Sequence, residues 1–270
     1  MLDDRRFTLI RSLLSLKTRV VIAHRGGAKL GPENTLVAFD QAIALGVDGC
    51  ECDVHLSADG DAVVIHDASL DRTTNAQGPV EARTVKELAQ IDAGFTFAAD
   101  GSFPFRDRGI GIPRLVDLLD RHRSVPWVIE IKGERVDLVR AVIRIVSDLG
   151  AEDRVIIGGF SHIAMDAVRR LAPRVATGAS RREARRATRR AWFRLPPGRH
   201  AFSVLQMPLR VAGREVFGEP FVRYARRSSV PVHAWVIDDP NDMTRLTGWG
   251  VTGLITDRPD VALATAGRET

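Results

Sequence analysis

The run Val47-Asp48-Gly49-Cys50-Glu51-Cys52-Asp53-Val54-His55 leads through the turn Ala58-Asp59-Gly60 into Asp61-Ala62-Val63-Val64-Ile65-His66. The fold can be read outward from this stretch. Both runs have strand composition, and so short a connection makes them a hairpin-like pair. Side chains alternate faces along a strand, so Glu51, Asp53 and His55 share one face and Cys50, Cys52 and Val54 take the other. The Cys-x-Cys-x-Val face is apolar and suits contact with covering helices. If the acidic face turns inward, two negative charges enter a low-dielectric setting, which is expensive without a partner. A cation resolves that cost, and hard oxygen donors suit Mg²⁺, Ca²⁺ or Mn²⁺. The competing reading has these carboxylates facing solvent, or paired with arginines, on an edge strand.

On both sides of this stretch the chain alternates strand and helix. β-Branched runs occur at Val20–His24, Trp127–Lys132, Arg154–Gly158, Val175–Gly178, His200–Leu205, Val230–Val236 and Thr252–Thr256. Helical patterns lie between most of them, at Glu33–Leu45 (opened by Pro32), Pro113–His122, Glu134–Leu149, Ser161–Leu171, Phe221–Arg227 and Asp239–Thr247. Such alternation implies parallel strands with crossover helices, and eight units close a (β/α)8 TIM barrel. With 270 residues and no Gly/Ser/Pro-rich linker, the chain reads as one α/β barrel domain over about residues 20–265. The segment around 67–112 breaks the rhythm. Its stretch Asp92–Gly111 is long for a loop, which predicts a small inserted subdomain.

Three further motifs carry chemistry. Ala23-His24-Arg25-Gly26-Gly27, followed by Pro32-Glu33-Asn34-Thr35, puts a histidine at a strand end, where barrel active sites lie. Arg25 offers a planar fork of donors suited to phosphate oxygens. His66, at the end of another strand, joins His24 as a candidate acid–base pair, since an unperturbed imidazole changes charge near neutral pH. In the apolar run Trp127-Val128-Ile129-Glu130-Ile131-Lys132, an inward Glu130 would complete a three-carboxylate set with Glu51 and Asp53. Lys132 would meet a phosphate or balance the carboxylates. A structural buried ion pair accounts for Glu130 and Lys132 equally well.

Taken in order, AHRGG, PENT, GVDGCECDVHLSADGDAVVIHDASLDRTT, IDAG leading into IPRL, VIEIK, GGFSH, VHAWVIDD and GVTGLITDRPD resemble the glycerophosphodiester phosphodiesterase family from about Val21 to Asp260. The resemblance implies a TIM barrel with an inserted subdomain and hydrolysis of glycerophosphodiesters to glycerol 3-phosphate and an alcohol. It makes His24 and His66 the catalytic pair, and Glu51, Asp53 and Glu130 the ligands of a divalent metal (Mg²⁺ or Ca²⁺, or Mn²⁺). It assigns Arg25 and Lys132 to phosphate contact, and Phe160 and Trp235 to the alcohol portion of the substrate. Asp257 matches a signature position that reads as turn-setting. The implied mechanism has a glycerol hydroxyl next to the phosphate attack phosphorus, and water then opens the cyclic product.

Lys and Arg total 39 against 34 Asp and Glu, for a net charge of +5, and only Lys17, Lys29, Lys86 and Lys132 of the basic residues are lysines. Charge of this sign attracts anions: phosphate esters, anionic lipid or nucleic acid. No nucleic-acid module is visible, so no nucleic-acid partner is expected. The arginines concentrate in 181–199, where Arg182, Arg186 and Arg190 are spaced to share one helical face. A basic amphipathic helix there would rest on anionic membrane, which would favour a lysophospholipase D-like activity on lysophospholipids. A solvated outer helix is the plainer reading. A non-catalytic phosphate-ester-binding barrel is a third possibility, against which all the histidines and carboxylates are present. The two cysteines, Cys50 and Cys52, sit two apart on one strand and cannot easily bridge. No apolar run approaches a membrane span, and the N-terminus lacks a signal-like core. A cytoplasmic protein, with peripheral membrane contact if the arginine segment binds lipid, is expected.

Overall fold

A computed structural model describes residues 8–196 and 198–268. Eight parallel strands surround one axis: β1 (Val20–His24), β2 (Gly49–Leu56), β3 (Trp127–Ile131), β4 (Val155–Gly158), β5 (Ala176–Thr177), β6 (Leu205–Pro208), β7 (Val232–Trp235) and β8 (Gly253–Thr256). Their order is β5-β4-β3-β2-β1-β8-β7-β6. The two ends meet through a parallel bridge between Gly178 and Val204, with Ser203 N donating to Thr177 O at 2.7 Å. The chain therefore has a TIM-barrel α/β fold. The antiparallel strand Ala62–Val64 hangs on β2 with Val54 opposite Val64, as the hairpin reading expects.

Register decides which face each residue takes. Val20, Ile22, Val128, Ile156 and Ile255 form an inner cluster, while Cys50, Cys52, Val54, Trp127 and Ile129 pack outward beneath helices. The Phe39 ring meets Trp127 edge-on at 5.0 Å, tying the helix Leu36–Ala44 to β3. The inner cluster is closed from below by Leu13 of the helix Thr8–Leu14, which is fully buried among the barrel residues. Burial of such a side chain contributes roughly 2 kcal/mol. His233 lies on the same floor, and its Nε2 donates to the Leu13 carbonyl at 2.8 Å. Gly253 on the neighbouring strand makes room for it. A Cβ there would stand 2.5 Å from the His233 ring, which permits no side chain.

Several expected boundaries move for local reasons. The helix expected from Glu33 starts at Leu36, because Asn34 takes a left-handed φ of 59° and Thr35 caps the helix by accepting from Ala38 N. The strand expected at His200–Leu205 is instead Leu205–Pro208. His200 Nδ1 bonds the Phe202 carbonyl, which folds that segment locally, and pairing begins only at Ser203. The arginine-rich helix runs Arg181–Trp192 and stops where Arg194 turns to φ 52°. Between β2 and β3, residues 67–112 contribute no barrel strand. They gather Leu70, Val80, Leu88, Ala93 and Ile112 into a small cluster with Val63 and Ile65. Among the described residues no helix is long and apolar enough to cross a membrane.

Candidate active site

Parallel register brings the site together at the C-terminal ends of neighbouring strands. His24 pairs with Glu51, Asp53 with Glu130, and Ala23 with Thr256, which leaves Asp257 beside His24. One ligand oxygen from each of Glu51, Asp53 and Glu130 falls within 4.8 Å of the others. Glu51 and Asp53 are almost fully buried, at 5% and 1% exposure. Burial and the neighbouring Asp53 charge push the Glu51 carboxyl up to about 8. Burial works against charge at Asp53 too, but Lys132 and Arg25 outweigh it and hold that carboxyl below the usual range. Lys132 Nζ lies 2.7 Å from Asp53 Oδ1 and 2.5 Å from Glu130 Oε1. Of its two expected roles, balancing the carboxylates is the one this arrangement displays. Three hard oxygen donors converging in a buried pocket are a set that fits a divalent cation.

The loop after β1 wraps this cluster. Arg25 takes φ 53°, and its N–H donates to Glu51 Oε2 at 3.1 Å. Its Nη1 donates to Glu33 Oε1 at 2.9 Å, and Nε lies 3.0 Å from Asp53 Oδ2. Gly26 at φ 85° lets the turn lie flat on the next helix, since a Cβ would come 2.8 Å from that of Ala38. Asn34 donates to Asp53 Oδ2 at 2.9 Å and accepts from Asp53 N at 3.2 Å, gripping the carboxylate and its backbone together.

Each histidine is aimed by a carboxylate. His24 Nδ1 is 2.7 Å from Asp257 Oδ1, and His66 Nδ1 is 2.5 Å from Asp67 Oδ1. An ionised carboxylate only accepts, so the proton sits on Nδ1 and Nε2 is left for other work. His24 Nε2 lies 3.9 Å from Glu51 Oε2. Burial disfavours charge on His24, but the Asp257 bond and the Glu51 charge prevail, and its pKa lies above the ordinary histidine value. Asp257 is itself anchored, its N–H donating to Asp238 Oδ1 at 2.9 Å. Arg72, from the inserted segment, bonds both Asp67 and Glu33, so the two histidine motifs are joined through Arg25, Glu33, Arg72 and Asp67. The Arg72 guanidinium holds the Asp67 carboxyl well below the carboxylate range. His55 Nε2 donates to the His66 carbonyl at 3.0 Å.

His24, Arg25, His66, Lys132 and the three carboxylates line one cavity of about 110 Å³, together with Phe160, Gln206 and Trp235. Phe160 and Trp235 meet edge-on at 5.9 Å on its rim. All nine residues singled out in the sequence fall in this cavity: His24, Arg25, Glu51, Asp53, His66, Glu130, Lys132, Phe160 and Trp235. Sequence reading assigned Asp257 only a turn-setting part and gave no role to Asp67, Asn34, Arg72 or Gln206. Asp257 carried a usable signal, because in a closed barrel the last strand lies beside the first. Asp67 adjoins His66 in the chain. Arg72 carried none, since its contacts are made by tertiary folding alone.

The glycerophosphoryl diester phosphodiesterase family model matches residues 24–261. The chain belongs to this family. A glycerophosphodiester phosphodiesterase of Caldanaerobacter subterraneus subsp. tengcongensis is 33% identical over 249 residues, spanning 90% of this chain and 96% of that one. The glycerophosphoryl diester phosphodiesterase domain of a Mycobacterium tuberculosis protein superposes with a TM-score of 0.79 at 23% identity, covering 94% and 100% of the two chains. A phosphodiesterase of Oleispira antarctica, solved with its product sn-glycerol-3-phosphate, gives 0.75 at 23% identity over 93% and 97%. In this member of the glycerophosphoryl diester phosphodiesterase family, the acidic trio, the two oriented histidines and Arg25 share one buried cavity.

Proposed function

We propose that this protein hydrolyses glycerophosphodiesters to glycerol 3-phosphate and an alcohol, using His24 and His66 as the acid–base pair and a divalent cation on Glu51, Asp53 and Glu130. One observation carries the reading: two histidines, each with Nδ1 engaged by a carboxylate, line the same cavity as three converging carboxylates. The product held by the Oleispira antarctica phosphodiesterase supports the substrate class. A bound divalent cation would supply Lewis-acid stabilisation of the phosphoryl oxygens.

The rest follows from the chain's own residues. Arg25 and Lys132 supply cationic donors beside the phosphate position. One histidine Nε2 takes the proton of the glycerol hydroxyl adjacent to the phosphate as that oxygen bonds to phosphorus. The other gives a proton to the alcohol oxygen as its bond to phosphorus breaks. Water then opens the cyclic diester with the two roles exchanged. Phe160 and Trp235 border the leaving alcohol. Buried, unpaired Cys50 and Cys52 fit a reducing, cytoplasmic setting.

The test is release of glycerol 3-phosphate from glycerophosphocholine and glycerophosphoethanolamine. Activity should disappear in EDTA and return with Mg²⁺, Ca²⁺ or Mn²⁺. Full activity in EDTA would remove the metal from the reading, and no release with any metal would leave a phosphate-ester-binding barrel.

A second reading is favoured by exposed apolar residues at the end of the arginine helix: Trp192 at 81%, Phe193 at 69% and Leu195 at 44%. Aromatic residues beside guanidinium groups suit the interface of an anionic membrane, where a lysophospholipid substrate would be met. The protein should co-sediment with phosphatidylglycerol vesicles and not with phosphatidylcholine vesicles, and Trp192→Ser with Phe193→Ser should release it. Equal sedimentation of wild type and double variant would remove Trp192 and Phe193 from any membrane contact.

A further inference from the structure

The Arg182–Arg186–Arg190 stripe of the arginine helix is divided between two cavities. Successive helical residues turn by about 100°, and the arginines split into two groups. Arg186 and Arg190 line one cavity with Arg199 and His200. Arg181, Arg182, Arg185 and Arg189 line a different groove of about 450 Å³, whose opposite wall is Lys132, Gly133, Glu134, Phe160 and His162. Lys132 and Phe160 also line the active-site cavity. The groove therefore opens directly from the place where phosphate and leaving alcohol are expected.

The helix faces outward in this way because its small residues face inward. Ala187 is buried, and Ala184 and Ala191 pack with it against the outer core. Its sole acid, Glu183, is committed elsewhere: it caps the helix through Ser180 and binds Arg169 at 2.9 Å. Arg181 lies over the Phe160 ring at 4.9 Å. Among the described residues, no carboxylate comes within 4.0 Å of the guanidinium groups of Arg181, Arg182, Arg185 or Arg189. Many arginines elsewhere on this protein are paired, as with Arg121 on Asp40, Arg114 on Asp117 and Arg245 on Glu215. The one carboxylate lining the groove among the described residues, Glu134, accepts from Ser161 Oγ at 3.2 Å. The four guanidinium groups and Lys132 outnumber it and leave a positive potential, and the guanidinium fork geometry matches the oxygens of a phosphate.

We propose that this groove is a second anion subsite, which receives a phosphate group carried by the departing alcohol and makes doubly charged glycerophosphodiesters the preferred substrates. The proposal rests on the phosphodiesterase reading above. The scissile phosphate would occupy the carboxylate–histidine cavity, the alcohol would pass over Lys132 and Phe160, and its own phosphate would be held by Arg182, Arg185 and Arg189.

The experiment compares 1,3-bis(glycerophospho)glycerol with glycerophosphoglycerol, which share the scissile bond and differ by the distal glycerophosphate. The wild type should show a KM for the doubly charged substrate at least about tenfold lower, an advantage that shrinks as NaCl is raised and the Debye length shortens. The triple variant Arg182→Gln, Arg185→Gln, Arg189→Gln should lose that advantage, with kcat and the glycerophosphoglycerol KM unchanged. Equal KM values in the wild type, or an equal loss on both substrates, would overturn the subsite. Should the wild type cleave neither substrate, it is the phosphodiesterase reading that fails. The subsite is then decided by calorimetric titration of 1,3-bis(glycerophospho)glycerol into both proteins: a Kd at least about tenfold weaker in the triple variant upholds it, and an unchanged Kd refutes it.

Discussion

Replacing His66 with glutamine, or His24 with glutamine, is expected to lower kcat on glycerophosphocholine by about 10³-fold, the usual scale for loss of a positioned acid or base. Folding should be little affected in the His66 variant. Its side chain is about one-third exposed and, among the described residues, its ring bonds only the adjacent Asp67. A thermal midpoint within about 2 °C of wild type would confirm this. The two variants are then separable by leaving group. A nitrophenyl ester of glycerol phosphate needs no proton on its departing oxygen, so the variant lacking the general acid should recover most of its activity on it. The variant lacking the general base should remain slow. Recovery in only one of the two would assign the roles. Wild-type rates in either variant would remove that histidine from the chemistry. Asp67→Asn and Asp257→Asn provide the complementary readout: each should depress kcat more than it raises KM, because each orients a ring and does not hold substrate.

The floor of the barrel should make the protein sensitive to acid above the range of an ordinary carboxylate. Burial drives the His233 pKa from 6.5 down to about 4, against the opposing effect of the Leu13 carbonyl bond. The imidazole is therefore neutral in the folded state, while the unfolded chain takes up a proton below about 6.5. The stability this group contributes is fully present above that pH, is lost as pH falls from 6.5 toward 4, and levels off below. The full span corresponds to about 3 kcal/mol, and the interval from pH 7 to pH 5 to about 2 kcal/mol. Nδ1 has no hydrogen-bond partner among the described residues, so a proton added there would be a buried charge without compensation. Urea unfolding at pH 7 and pH 5 checks this against His233→Gln, which cannot titrate. The variant should be less stable at pH 7 but lose about 2 kcal/mol less between the two pH values. Parallel losses would show that His233 is not the group responsible.

These two sites show different limits of sequence reading. The period-two alternation of Glu51-Cys52-Asp53 and Ile129-Glu130-Ile131 separated the two faces of each strand without any structure, because adjacent side chains on a strand must point to opposite faces. The succession of strand and helix sufficed for the barrel, because parallel neighbours require crossovers. Local geometry carries both inferences, so they were legible. The helix start at Leu36 was not, since Asn34 and Glu33 are drawn out of helical geometry by Asp53, Arg25 and Arg72, all distant in sequence or made available by a turn.

The sequence by itself determined the family, the barrel, and the residue types and faces from which a carboxylate–histidine site could be built. Tertiary structure alone decided that Asp257 reaches His24 across the closing strand pair, and that Arg72 links Glu33 to Asp67. It also decided that His233 and Leu13 close the floor together, and that four arginines turn toward the groove at Phe160 while two turn away. The physical reason is common to all four. Each depends on strand register, barrel closure or the rotation of a packed helix, and these are set by contacts summed over the whole core and not by any local run of residues.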